Sequence, residues 1–278
     1  MTASPPLHWR EYLIEVAGLG LFMVSAAVMT TILEHPSSPV RQALPGAFTR
    51  RVLMGLAMGL TAASLTYSPW GRRSGAHFNP AVTLTFFRLG KIARRDAAFY
   101  VGSQFVGGVA GIVAASLPLR PWISSAAVNY VATLPGPAGD GPAFAAEMGI
   151  SFVLMMTILT VSNRPRLTRF TGVFAALLVA GFITFEAPLS GTSMNPARTF
   201  GPSLVGGLAR GLWVYFIAPL LGMLGAAELY VCLFGENGIF CAKLDHASDV
   251  PCLFCAYRAR SILTIPRRVT WRPTTTTT

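Results

Sequence analysis

Two copies of one tripeptide carry the most chemical information in this chain of 278 residues. The first, Asn79-Pro80-Ala81, lies within Ser74-Gly-Ala-His-Phe-Asn-Pro-Ala-Val-Thr-Leu-Thr-Phe-Phe87. The second, Asn195-Pro196-Ala197, lies within Ser190-Gly-Thr-Ser-Met-Asn-Pro-Ala-Arg-Thr-Phe-Gly-Pro-Ser203. Asparagine is a favoured helix N-cap, and proline suits the first helical position, where its missing N–H has no intrahelical partner anyway. Each tripeptide therefore predicts a short helix, from Asn79 to about Arg88 and from Asn195 to about Val205. Carboxamides at such starts offer N–H donors to the oxygen of a neutral molecule. The helix N-termini add a positive potential that repels protons and cations. This is chemistry of selection rather than of bond cleavage. No nucleophile–base pairing and no phosphate-binding glycine loop is visible, so neither an enzyme nor a cofactor is expected.

The elements that must hold these motifs follow from composition. Hydrophobic residues make up 53% of the chain and charged ones 12%, with a mean hydropathy of +0.54. A soluble domain carries roughly 25% charged residues. Disorder, coiled coil, collagen and a disulfide-rich secreted module are all excluded, which leaves a polytopic membrane protein. Six apolar segments stand out, Tyr12–Leu33, Val52–Tyr67, Ala97–Leu117, Phe144–Val161, Phe170–Phe185 and Leu212–Phe234. Crossing a bilayer takes about 20 helical residues. The second segment reaches that length by extending back through Phe48, with Arg50 and Arg51 expected to snorkel to the interface. The N-terminus lacks the basic-then-apolar order of a cleavable signal, so the first segment is expected to remain as a span.

The net charge of +11 reads as topology, with no nucleic-acid partner expected. With both termini cytoplasmic, 16 of the 22 basic residues fall on the cytoplasmic side and six on the other. Trp122 and Trp213, near span ends, suit interfacial anchoring, and Gly55/Gly59, Gly107/Gly111 and Gly222/Gly225 suit close helix contacts.

Both motif segments are apolar enough to enter the membrane and too short to cross it, which predicts re-entrant loops. They share Gly-x-x-x-Asn-Pro-Ala-x-Thr, at Gly75/Asn79/Thr83 and Gly191/Asn195/Thr199. Each copy follows the second span of a three-span half. Three is odd, so the halves insert with opposite orientation and their loops enter from opposite faces. Inverted repeats place a site near the midplane, where irregular backbone is tolerated because it lines a cavity. Glu15 and Glu147, early in spans one and four, are expected to accept N–H bonds from the loops. His77 is expected to pack or hydrogen-bond at the inner mouth. The first half is longer by 16 residues between Glu and Asn (64 against 48), mostly around 34–49.

On these residues the chain resembles the major intrinsic protein (aquaporin) family, over about Glu11 to Phe234. The resemblance rests on His77-Phe-Asn-Pro-Ala-Val-Thr-Leu84 and Gly191-Thr-Ser-Met-Asn-Pro-Ala-Arg-Thr-Phe-Gly-Pro202. It implies an all-α membrane protein with six transmembrane helices and two re-entrant half-helices around a central pore. It also implies a homotetramer in the plasma membrane, Asn79 and Asn195 as the central pore asparagines, and Arg198 as the arginine of an outer filter. A buried arginine at membrane depth is expensive unless paired or facing water, which suits that role. Matching the Leu-Ala-Met-Gly-Leu run of span two and counting back from Asn195 gives a filter of Met58 (or Gly59), Ile183, Thr192 and Arg198. Strict water channels of the family carry an aromatic residue and a histidine at the two span positions, so this filter is expected to be less polar. Glycerol facilitators typically have aspartate where this chain has Thr199, and lack the aromatic pair found at Tyr215-Phe216. Water-type markers therefore prevail outside the filter. The function implied is a passive channel for water and small uncharged solutes that excludes protons and ions. A glycerol or metalloid-acid facilitator is the alternative. A secondary transporter coupled through Glu15 or Glu147, and a membrane metal or redox protein, are further readings.

The chain divides into a cytoplasmic N-terminal segment (1–10), a channel domain (11–234, with repeats at about 11–117 and 143–234) and a cytoplasmic tail (235–278) expected to be partly disordered. The tail carries Cys241, His246, Cys252 and Cys255, spaced C-x4-H-x5-C-x2-C. Such spacing could bind zinc. A chance grouping in a reduced tail is the reading preferred from sequence, and no metal is assigned.

Overall fold

The computed structural model describes residues 7–235, 238–246, 250 and 252–255, so the threonine-rich end lies outside the described residues. The described residues contain helices and no strand. The first half comprises α1 (Trp9–Glu34), the short α2 (Pro39–Ala43), α3 (Ala47–Tyr67), the short α4 (Pro69–Ser74), α5 (Pro80–Arg88) and α6 (Arg94–Leu119). The second comprises α7 (Asp140–Ser162), α8 (Thr171–Phe185), the short α9 (Ala187–Ser190), α10 (Pro196–Gly206) and α11 (Leu212–Phe234). At 26 residues, α1 and α6 are each about 39 Å long, more than a hydrocarbon core of roughly 30 Å.

Among the described residues, five helices are long and apolar enough to cross a membrane. The sixth long helix, α3, has 21 residues, but Arg50 and Arg51 in its first turns dilute its apolarity. Arg50 does not snorkel to the interface as expected. Arg50 is buried, with Nε donating to both Glu34 oxygens at 3.1 Å and Nη1 donating to the Leu44 and Pro45 carbonyls at 2.9 and 2.7 Å. Arg51 donates from Nε to the Thr184 carbonyl on α8 at 3.2 Å. Protein partners outcompete the interface because the surplus residues of the first half fold back as α2, and Glu34 accepts from Arg50. Side chains such as Leu13, Leu60, Leu117, Leu177 and Leu233 point outward and form the apolar exterior a bilayer requires.

The halves interlock. α1 packs on α6 and α7 on α11, while α3 meets α8 across the centre. The half-helix α5 of the first half packs on α11 of the second, and α10 packs on α6. Glycines allow the closest approaches. A Cβ at Gly107 or Gly111 would lie 2.4 Å from the carbonyl oxygen of Val16 or Gly20 on α1. The Gly222/Gly225 contact rests on Gly222 alone, since at Gly225 a Cβ would meet only Phe152 at 3.8 Å. One pair was not foreseen: Gly108 of α6 and Gly201 of α10 pass so close that a Cβ on either would strike backbone, at 2.4 Å from the Ala197 oxygen and 2.3 Å from the Gly108 oxygen.

Candidate pore

Each re-entrant loop hangs on one buried carboxylate. Glu15 of α1 accepts from Ser74 Oγ (2.8 Å), from the backbone N–H of His77 (3.3 Å) and Phe78 (2.6 Å), and from Gln104 Nε2 (2.8 Å). Glu147 of α7 accepts from Ser190 Oγ (2.7 Å) and from the N–H of Ser193 (2.6 Å) and Met194 (2.7 Å). Two tyrosines brace the same turns, Tyr100 donating to the Ser74 carbonyl (2.7 Å) and Tyr215 to the Ser190 carbonyl (2.6 Å). Tyr215 is thus a prop for the second loop, and its neighbour Phe216 stacks on Phe105. Ala76 and Phe78 adopt left-handed backbone (φ 58° and 45°), as do Thr192 and Met194 at the equivalent positions (φ 57° and 53°). Such conformations cost about 1–3 kcal/mol each. They persist here because the turned N–H groups find a carboxylate.

The strained turns lead directly into the two caps. Asn79 Oδ1 accepts from the Ala81 N–H at 2.9 Å, and α5 begins at Pro80. Asn195 Oδ1 accepts from the N–H groups of Ala197 (3.1 Å) and Arg198 (3.2 Å), and α10 begins at Pro196. With both oxygens committed to capping, the carboxamides present only donors outward. Asn79 Nδ2 donates to the Met194 carbonyl at 2.7 Å and Asn195 Nδ2 to the Phe78 carbonyl at 2.8 Å. The N-termini of the two half-helices therefore meet head to head.

One cavity of ≈ 390 Å³ runs past this meeting point, lined by both asparagines. Leu19 and Glu34, both on its wall, are 15 residues apart on α1, about 22 Å of helix axis. Its walls are largely apolar, with Phe22, Met54, Val82, Leu154, Ile158 and Val179 among them. Met58, Ile183, Thr192 and Arg198 all line it as well. Gly59 does not: it packs on α8, where a Cβ would lie 2.6 Å from the Ala176 oxygen. Arg198 donates from Nη1 to the Val131 carbonyl at 3.3 Å. Thr192 donates to Glu186 Oε2 at 2.6 Å, while Glu186 Oε1 is buried without a partner. Sequence reasoning missed Glu186, because no spacing rule ties the residue after α8 to the loop.

His77 is buried and links the first loop to the tail. Its Nε2 contacts the Ala242 carbonyl at 2.8 Å, which makes Nε2 the donor. Its Nδ1 then accepts from Thr83 Oγ1 at 3.0 Å. Phe254 stacks on the imidazole with ring centroids 5.4 Å apart, and Leu244 reaches the cavity wall. The four tail residues with metal-binding chemistry come together, their ligand atoms all within 4.8 Å of one another. Burial alone would lower the His246 pKa, but its hydrogen bonds with Cys252 and Cys255 outweigh burial and raise it to about 9.

The fold and this site define an α-helical membrane protein whose two halves meet around one cavity. Residues 2–230 match the family described as Major intrinsic protein, and the chain belongs to that family. "Putative aquaporin NIP4-1" of Arabidopsis thaliana is 38% identical over 175 residues, covering 62% of this chain and 59% of that protein. The chain spans about three fifths of the length of that protein and of "Probable aquaporin NIP4-2" from the same plant. "Probable aquaporin AqpM" of Archaeoglobus fulgidus is 34% identical over 243 residues, covering 82% of this chain and 98% of that protein. The aquaglyceroporin of Plasmodium falciparum shares the fold, with a TM-score of 0.66 at 20% identity over 83% of this chain and 100% of that one. Members of that family are channels, not enzymes.

Proposed function

We propose that the protein is a passive channel for water and small uncharged solutes that excludes protons and ions. The observation that carries this reading is the exchange of carboxamide hydrogen bonds at the head-to-head helix starts, on the wall of an otherwise apolar cavity. Each amide nitrogen has two hydrogens and gives one to the opposite loop, so one remains for a passing oxygen. An apolar wall leaves a water chain few other partners, so molecules orient at the two asparagines. The paired positive helix ends and the Arg198 guanidinium oppose cations there and at the outer filter.

A second reading, passage of glycerol or a neutral metalloid acid, is favoured by Met58, Ile183 and Thr192, which leave the filter without a ring. Homotetramer assembly and a plasma-membrane location with cytoplasmic termini complete the proposal, supported by the exposed apolar faces and the 16-to-6 basic asymmetry. Stopped-flow light scattering on proteoliposomes tests it, first with an impermeant osmolyte and then with glycerol. Faster osmotic equilibration than in empty vesicles, with no ion current, is expected. A sodium or proton conductance would overturn the reading.

A further inference from the structure

The tail cluster is not used by the pore chemistry, yet it is built against the pore. Cys241 Sγ and Cys252 Sγ are 3.3 Å apart, and Cys255 Sγ and His246 Nε2 are 3.9 Å apart. All four cysteines of the chain carry free thiols, so no disulfide explains the grouping. A tetrahedral zinc ion with Zn–S near 2.3 Å and Zn–N near 2.0–2.1 Å holds its ligand atoms about 3.5–3.8 Å apart. The observed separations bracket that range, and small side-chain rotations close the set. The two ends of the cluster come from one short segment, so the ion would close a loop that no helix holds.

We propose that Cys241, His246, Cys252 and Cys255 bind one zinc ion in a Cys3His site, and that this ion fastens the tail over the mouth beside the first re-entrant loop. Binding forms three Zn–S bonds and one Zn–N bond and releases to water the protons held on the three sulfurs and on the ligating imidazole nitrogen. The loaded site carries a net charge of −1, from +2 on the ion and −3 on the thiolates. Lys243, buried in the same loop and donating from Nζ to the Val250 carbonyl at 3.0 Å, lies where it offsets that charge.

Between the first and second ligands the chain makes three polar contacts that seat it on the channel. Ala242 accepts from His77, Leu244 N–H donates to the Gly75 carbonyl at 3.3 Å, and Asp245 pairs with Arg72 at 3.2 Å. Phe254, between the last two cysteines, stacks on His77. An ion that fixes the ligands therefore fixes the residues touching the loop that carries Asn79. The metal site stands on the cluster alone; only its bearing on permeation rests on the proposed pore.

The test uses full-length protein purified in detergent without chelator. Elemental analysis is expected to find about one zinc per chain, and the Cys252→Ser/Cys255→Ser double variant to hold none. Cobalt exchanged into the wild type is expected to give the thiolate-to-cobalt absorption of a tetrahedral site. Chelation should expose the Lys243–Leu244 bond to trypsin while helix content by circular dichroism stays unchanged, so the result does not depend on a variant folding. Wild type without stoichiometric metal, a Cys241–Cys252 disulfide in its place, zinc retained by the double variant, or unchanged trypsin resistance after chelation would each overturn the proposal. None of these readouts depends on what the pore conducts.

Discussion

Asn79 gives an amide hydrogen to the backbone carbonyl of Met194, 115 positions away, at 2.7 Å. Asn195 returns the bond to Phe78 at 2.8 Å. Each acceptor is the residue just before the other asparagine, so each half of the chain sets the amide orientation of the other. The oxygens cannot rotate outward without uncapping α5 or α10. The lumen thus meets donors from both sides.

Asn79→Asp separates capping from donation. Aspartate caps as well as asparagine, so α5 should persist. Its carboxylate cannot donate and would face the Met194 carbonyl. Water permeability should fall several-fold, and a pH-sensitive dye inside the vesicles should report faster proton entry. Unchanged permeability would remove the Asn79 donor from the pathway.

Arg198→Val removes the only charged member of the proposed filter and the contact with the Val131 carbonyl. Glycerol uptake should rise relative to water, read by stopped-flow as the ratio of the two permeabilities. An unaltered ratio would take Arg198 out of the filter.

Glu186→Gln tests the residue that sequence reasoning missed. Glu186 holds the Thr192 hydroxyl at 2.6 Å while its other oxygen is buried and unpartnered. Glutamine keeps an acceptor and removes the charge. The glycerol-to-water ratio should shift with little change in melting temperature. Glu147→Gln should behave differently: it sets an NH2 group against loop N–H donors and should cost about 1–3 kcal/mol, seen as a lower melting temperature. No proton-driven solute accumulation is expected in either variant.

Gly108→Ala and Gly201→Ala should both impair folding, because each Cβ would meet backbone at 2.4 or 2.3 Å. Overpacking of this kind costs about 1–3 kcal/mol or more. Gly102→Ala and Gly149→Ala, at helical positions with nothing within 4 Å, are the controls. They should be neutral or stabilising by up to about 1 kcal/mol. Thermal unfolding followed by tryptophan fluorescence separates the two pairs.

Local rules made much of this protein legible in its sequence. Hydropathy marked the long helices, and the Asn-Pro pairs marked where α5 and α10 begin, because capping and proline geometry depend on neighbours in the chain. The odd number of spans per half implied opposed loops, since topology follows from counting. Contacts between distant elements were decided only by the fold. Arg50 looked like a snorkelling residue until α2 and Glu34 supplied its partners. Gly108 and Gly201 looked unremarkable until α6 and α10 crossed at their positions. Cys241, His246, Cys252 and Cys255 looked like chance spacing until the tail folded onto His77 and drew their ligand atoms together. Spacing along a chain states which groups are available; which of them meet depends on packing between segments, and that exists only once the helices are assembled.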